Sequence, residues 1–217
     1  MNPQYSIATA RPQDLARLAG IELAAARLLE GHAPESILNE TTDCDVLQRA
    51  QREGHLWVAL LDDVAVGFAR VELIEGDAAH LEEIDVDPAH GRRGLGTRLV
   101  LHVCDWAARN GIGSVTLTTF REVAWNMPLY ARLGFEIVPH AQLSPALCAI
   151  VEDETRRGLD PTRRVVMRRP LRTIDHDRAE KCHMNEVTLT LTDPTAGRSA
   201  VHRRSDLRVQ LERDRHR

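Results

Sequence analysis

The stretch Glu82-Glu83-Ile84-Asp85-Val86-Asp87-Pro88-Ala89-His90-Gly91-Arg92-Arg93-Gly94-Leu95-Gly96 constrains this chain more than any other. In order it reads as a strand ended by Pro88, a tight turn, and the first turn of a helix. The first amides of a helix have no partner inside it, and the helix dipole places partial positive charge there, so such a turn aims free N–H groups outward as an anion site. Gly91, Arg92, Arg93, Gly94, Leu95, Gly96 and Thr97 are the candidate anion-binding residues, with Arg92 and Arg93 adding charge. On these residues alone, a turn with only a structural role is the alternative.

Leu95, Leu99, Val103 and Trp106 then recur at helical spacing, and Val100, Cys104 and Ala107 widen the apolar stripe up to Asn110-Gly111. The turn is therefore expected at a true helix start. A nucleoside-triphosphate loop is excluded because no Gly-Lys-Ser/Thr follows, and a dinucleotide fold because a third glycine is lacking.

The rest of the pattern describes one mixed α/β domain. Tyr5 to Ala8 reads as a strand, and Pro12 with Asp14 opens a helix carrying Leu15, Leu18, Ile21 and Leu28 on one face, closed by Gly31. A helix over Asp45 to Arg52 precedes a hairpin of Leu56 to Leu61 and Val64 to Ile74 across Asp62-Asp63. Strands follow at Ala79 to Val86, Ser114 to Thr119, Phe135 to Val138 and Arg164 to Arg169, with helical segments at Trp125 to Leu133 and Ser144 to Arg157. The strand, helix, strand, helix order implies a central parallel pair.

With 217 residues, 43% of them hydrophobic and 28% charged, the chain is long enough for one domain with a full core. The expected division is a domain over 1–171 and a polar, disordered tail over 172–217, in which Val187, Leu189 and Leu191 alternate like a strand and Asp206 to Arg215 resemble a weak helix. The first 171 residues hold eighteen Lys or Arg against twenty-four Asp or Glu, so this part is acidic; that disfavours nucleic acid and suits a cationic partner. No segment has the pattern of a secretion signal or the length to span a bilayer, so a cytoplasmic protein without membrane partners is expected. Cys44, Cys104, Cys148 and Cys182 lack the paired spacing of a metal site, and Cys182-His183 with His176 nearby is too sparse a set, so no metal is expected.

Val86-Asp87-Pro88, then Arg93-Gly94-Leu95-Gly96 and Leu99, then Tyr130-Ala131-Arg132-Leu133-Gly134-Phe135 beyond a strand resemble the GNAT superfamily of acetyl-CoA-dependent N-acetyltransferases over about Tyr5 to Leu171. One departure is Gly91, where the family usually has Gln or Arg, with Arg92 where a glycine is common; backbone amides carry the contact, so the effect is expected to be slight. The resemblance implies a mostly antiparallel central sheet with a splayed parallel strand pair and flanking helices, and a glycine turn holding the pyrophosphate of coenzyme A. It also implies acetyl transfer to an amine of a small molecule, peptide or protein, with a homodimer common in the family. It further implies main-chain contacts from Ile84, Asp85 and Val86 to the pantetheine arm in the splay, with an oxyanion donor near Val86.

A lysine-like amine has a pKa of about 10.4, so it is about one part in two thousand neutral at pH 7, and deprotonation accounts for roughly 4–5 kcal/mol of the barrier. A carboxylate base is the expected remedy. Strand alternation puts His80, Glu82 and Ile84 on one face and Leu81, Glu83 and Asp85 on the other, so one glutamate is expected to face the cleft. By resemblance Glu82 is the candidate base, with Glu83 second and His80 third; a surface or substrate-orienting charge is the alternative for Glu82. Tyr130 stands where the family's general acid stands, and a packing role in the core is its alternative. Asn126 is either a pantetheine contact or a helix cap. Trp125 and Phe120 line the acceptor pocket or the core. The competing class is a non-catalytic acyl-CoA-binding or sensor module on the same fold, against which the joint presence of Glu82 and Tyr130 argues.

Overall fold

The computed structural model describes residues 4–74 and 78–171. The readings made for the tail, including Cys182, His183 and His176, lie outside the described residues.

Antiparallel pairing begins at the hairpin of β2 (Leu56–Leu61) and β3 (Val64–Ile74). Its two-residue connection has both Asp62 and Asp63 at positive φ, 48° and 64°, the twist that matches a right-handed ribbon. Arg11 secures this turn from outside, donating to the Asp63 carbonyl at 2.9 Å while its guanidinium pairs with Asp14 at 2.9 Å. On the outer side of β2 lies β1 (Tyr5–Thr9), and on the far side of β3 lies β4 (Ala78–Val86), both antiparallel to their neighbours.

The chain then crosses over through α4, for which the preceding helices are α1 (Leu15–Ala26), α2 (Glu35–Leu38) and α3 (Cys44–Glu53); α4 itself runs Leu95–Arg109. The crossover returns the chain as β5 (Ser114–Phe120), parallel to β4, as expected of a strand, helix, strand unit. Next come α5 (Met127–Arg132), β6 (Glu136–Ile137), α6 (Pro145–Arg156) and β7 (Arg164–Pro170). The sheet order is β1-β2-β3-β4-β5-β7-β6, so β7 inserts between β5 and β6.

Two apolar layers cover the sheet. On one face Leu18 and Ile21 of α1 and Leu47 and Ala50 of α3 pack against Leu56, Val58, Leu60 and Phe68. On the other, Leu95, Leu99, Val103, Cys104 and Ala107 of α4 meet Trp57, Ala69, Val71, Leu81, Val115 and Met167, with Tyr130 and Phe135. The stripe read from the sequence of α4 is thus the stripe that is buried. Among the described residues no helix is long and apolar enough to cross a membrane.

Several elements differ from the sequence reading. The first helix ends at Ala26 and continues as a 3-10 turn over Arg27–Leu29. The unexpected α2 carries Ile37, which packs with Leu29 and Ala33 on Phe120, Val123 and Leu159. Trp125 and Asn126 stay outside α5, and only Glu136 and Ile137 of the expected strand pair with β7.

Gly67 of β3 faces the end of β4: a Cβ there would stand 2.8 Å from the main-chain oxygen of Asp85. Because that neighbour is backbone, Gly67→Ala must displace the strand end and is expected to lower unfolding free energy by about 1–3 kcal/mol in a denaturant titration. An unchanged midpoint would contradict this contact.

Candidate active site

Asp87 accepts a hydrogen bond from the Ala89 N–H at 2.9 Å, starting a 3-10 turn over Pro88–His90 that the Gly91 N–H closes on the Pro88 carbonyl at 3.1 Å. The chain then reverses through left-handed backbone at Arg92 (φ 57°) and Gly94 (φ 74°) and enters α4 at Leu95. A side chain at Gly94 would meet nothing within 4 Å, so the turn is open on its outer side. The first amide used by the helix is Arg98, donating to Gly94 at 3.0 Å. Among the described residues the amides of 92 to 97 have no acceptor. Arg93 leans back on the turn, within 3.3 Å of the Ala89 carbonyl and 3.4 Å of that of Gly91. The turn is moored to β1 by Arg98, which donates to the Tyr5 carbonyl at 3.0 Å, and by the Tyr5 hydroxyl at 3.0 Å from Nδ1 of His90.

Beside the turn the parallel strands part. Ladder pairing of β4 with β5 covers only Ala78–Leu81 against Ser114–Leu117, while β5 continues along β7 to the pair Phe120 and Arg164. The edge of β4 over Ile84, Asp85 and Val86 therefore faces a gap. This is the splay expected from the resemblance.

The side-chain faces of β4 correct the sequence reading. Val71 pairs with Leu81 but Arg70 pairs with Glu83, which leaves Glu82 as the extra residue of a β-bulge. Alternation breaks there, so Leu81, Ile84 and Val86 share the α4 face. Asp85 pairs with Phe68, whose ring lies in the α1 layer, and Glu83 with Arg70 two residues along, so both carboxylates fall on the α1 face. Glu82 lies 3.6 Å from Arg70. Glu83 and Asp85 thus lie opposite Ile84 as the alternation implied, and Leu81 is the residue that changes sides.

Burial governs the charges of this face. It raises Glu82, with Arg70 opposing. It pushes Glu83 up to about 7, reinforced by Glu22 of α1 and opposed by a hydrogen bond to Asp85. Asp85 rises well above the usual carboxylate range, first by burial and then by Glu83. His80 is lowered to about 4 by burial and by Arg70 and Arg164, and its Nδ1 sits 2.9 Å from the Thr116 hydroxyl. It is thus a neutral, weakly basic imidazole.

Tyr130 is 9% exposed, its ring edge-on to Phe135 within the α4 layer. Its phenol is raised by burial and then by Asp85 and Glu83, so its hydroxyl senses both carboxylates. Asn126 stands at the N-cap of α5 without a side-chain cap bond, which removes the capping alternative. Trp125 is 53% exposed, whereas Phe120 is buried under the Arg164 guanidinium, 4.7 Å from its ring centre.

Arg70, Glu22 and the cluster of Arg164, Glu154 and Thr118 escaped the sequence reading. Arg164 donates to Glu154 at 2.5 Å and to the Thr118 hydroxyl at 2.8 Å, while Thr118 also bonds Glu154. Glu22 accepts from the Thr42 N–H at 2.9 Å and from its hydroxyl at 3.0 Å. The usable signal was polar residues on otherwise buried faces: Glu22 beside Ile21, and Arg70 two residues after Phe68.

The sequence model of the acetyltransferase (GNAT) family matches residues 25–135. Among solved structures, the fold is similar to that of the PaiA N-acetyltransferase from Thermoplasma acidophilum in complex with coenzyme A, with 16% identity over 77% of this chain and 99% of that one and a TM-score of 0.60. It is likewise similar to the ribosomal-protein-S18-alanine N-acetyltransferase from Escherichia coli, at 21% identity over 77% and 94% of the two chains and a TM-score of 0.54. A GNAT-family acetyltransferase from Staphylococcus aureus Mu50 gives a TM-score of 0.61 at 14% identity, over 78% of this chain and 100% of that one. With the family match spanning half the chain and falling on the turn, the gap and Tyr130, the chain belongs to the GNAT acetyltransferase family.

Proposed function

We propose that this protein transfers the acetyl group of acetyl-CoA to the nitrogen of an amine acceptor. The observation that carries this reading is the row of main-chain N–H groups at 92 to 97, free of acceptors on the open side of a left-handed turn, beside strands that part after Leu81. A diphosphate suits that row: it brings several acceptor oxygens and negative charge to a helix N-terminus. Two similar folds, the Thermoplasma acidophilum PaiA enzyme and the N-acetylglutamate synthase from Neisseria gonorrhoeae, were solved with coenzyme A.

In this reading Gly91, Arg92, Arg93, Gly94, Leu95, Gly96 and Thr97 hold the pyrophosphate, mainly through the backbone. The unpaired edge of Ile84, Asp85 and Val86 holds the pantetheine arm, with Asn126 as a polar contact from α5, and an amide near Val86 stabilises the oxyanion. When bound, acetyl-CoA supplies an acetyl group activated as a thioester. Tyr130 gives its proton to the departing sulfur. Its raised pKa keeps the phenol protonated at neutral pH, and the thiolate, near 8.5 in its ordinary state, is the better resting place for the negative charge. Carboxylates of β4, of which Glu82 is the first candidate, receive the amine's proton. The raised position of all three makes them stronger acceptors than surface carboxylates.

Gly94→Glu places bulk and negative charge on the open side of the turn, and calorimetry is expected to find coenzyme A binding abolished; binding at parental strength would remove the cofactor from this turn. Tyr130→Phe is expected to lower turnover about tenfold or more in a thiol-release assay, with coenzyme A affinity unchanged. Equal rates for the two proteins would return Tyr130 to a packing role.

A further inference from the structure

The amides of 92 to 97 have no acceptor among the described residues, so the turn cannot keep its shape by pairing them. Its backbone is also demanding, since it is left-handed at both Arg92 and Gly94 and Arg92 carries a side chain there. A segment of this kind holds one conformation only when its surroundings fix its two ends.

One residue of another strand grips both ends. Tyr5, at the start of β1, places its hydroxyl 3.0 Å from Nδ1 of His90, the residue just before Gly91. The main-chain oxygen of the same Tyr5 accepts from the Arg98 guanidinium at 3.0 Å, just past Thr97. His90 and Arg98 therefore bracket the row of free amides, and Tyr5 spans it from outside. The tyrosine is itself anchored: its ring packs, partly buried, against the α4 layer and stands edge-on to the His90 imidazole at 6.0 Å and 77°, while its backbone pairs with Leu61 of β2.

The other bonds of the turn are local. Asp87 and Arg93 reach only Ala89 and Gly91 with their side chains. The Asp87 N–H fixes the entry to the turn on the Val66 carbonyl of β3 at 2.9 Å. Beyond that point, among the described residues, the hydrogen bonds tying 88–98 to the sheet are the two at Tyr5.

We infer that Tyr5 is a positioning residue for the cofactor, which sets the spacing and direction of the amides of 92 to 97 before a diphosphate arrives. This rests on the acetyl-transfer reading above, which puts the diphosphate of acetyl-CoA in this turn. Ordering the turn during folding removes that cost from the binding step, so the gain appears as affinity. The strand β1, at the edge of the sheet, thereby belongs to the working parts of the cofactor site. The effect is confined to ligands that carry the diphosphate, because Tyr5 acts through the turn and not through the gap between β4 and β5.

Tyr5→Phe removes the hydroxyl but keeps the ring, its packing and the carbonyl that Arg98 uses; Arg98→Met removes the other arm. In calorimetry each is expected to weaken coenzyme A binding about three- to tenfold, the effect of one hydrogen bond. The KM for acetyl-CoA is expected to rise by the same factor, with kcat and the KM of the amine within about twofold of the parent. S-acetylpantetheine, a thioester donor lacking the diphosphate, is expected to serve parent and variants at equal rates. Tyr5→Phe combined with His90→Ala is expected to bind coenzyme A no more weakly than the poorer single variant, the mark of one shared contact.

A lowered unfolding midpoint with coenzyme A affinity at the parental level would reduce Tyr5 to a structural role and overturn the inference. An equal loss with S-acetylpantetheine would overturn it too. Failure of the parent protein to bind coenzyme A would instead refute the acetyl-transfer reading. In that case amide hydrogen exchange in the free protein still decides the clamp: faster exchange at 92 to 97 in Tyr5→Phe supports it, and unchanged exchange overturns it.

Discussion

Main-chain hydrogen bonding in the middle of the sheet is what everything else depends on. A buried strand edge must find partners for its N–H and C=O groups, and β5 finds them beyond Leu117 only on one side, along β7. On the other side β4 keeps its pairing with β3 and turns away. A wedge-shaped opening results, bounded by main chain whose hydrogen-bonding capacity is unspent. The turn before α4 lies at the same end of β4, so a long ligand with an anionic middle and an amide-rich arm meets fixed donors along its whole length. Little of this requires particular side chains, which fits a similarity in fold at 14–21% identity with the proteins compared above.

The two layers divide the labour. The α4 side is a dry hydrocarbon core that fixes the helix start and hence the direction of its free amides. The α1 side has an apolar floor at Phe68 but gives way to charge toward the gap: Glu82, Glu83, Asp85 and Glu22 sit where burial works against ionisation, with Arg70 3.6 Å from Glu82. Buried carboxyls destabilise a fold unless they hold protons or meet cations, and a site that receives an ammonium group supplies such a cation on binding. Tyr130 joins the layers, its ring in the hydrocarbon and its hydroxyl toward the carboxyls.

What could be read from the residues follows from how local the signal is. The hairpin was legible to the residue because apolar alternation, a two-aspartate turn and a change of period all fall within a few positions. The start of α4 was legible for the same reason: Pro88, Gly94 and the Leu95, Leu99, Val103 stripe are contiguous. The bulge was not. Nothing within Glu82-Glu83 announces which residue is extra, since that depends on how β4 aligns with Arg70 and Val71 on another strand, and one residue of slip exchanges the two faces. Thus Glu83 and Asp85 were rightly set opposite Ile84, but Leu81 was grouped with them although it lies with Ile84 on the α4 face. Arg70 and Glu22 were missed because each acquires its meaning from a partner far away in sequence. The helix α2 was missed because four residues carry no period.

The insertion of β7 between β5 and β6 bears on how the domain comes into being. Residues 164–170 supply the whole outer ladder of β5, so a nascent chain still lacking them presents β5 with an open edge and β6 with no strand to join. The central sheet therefore closes only after nearly all of the domain has left the ribosome, and long-range pairing of this kind sets a late, slow step in folding.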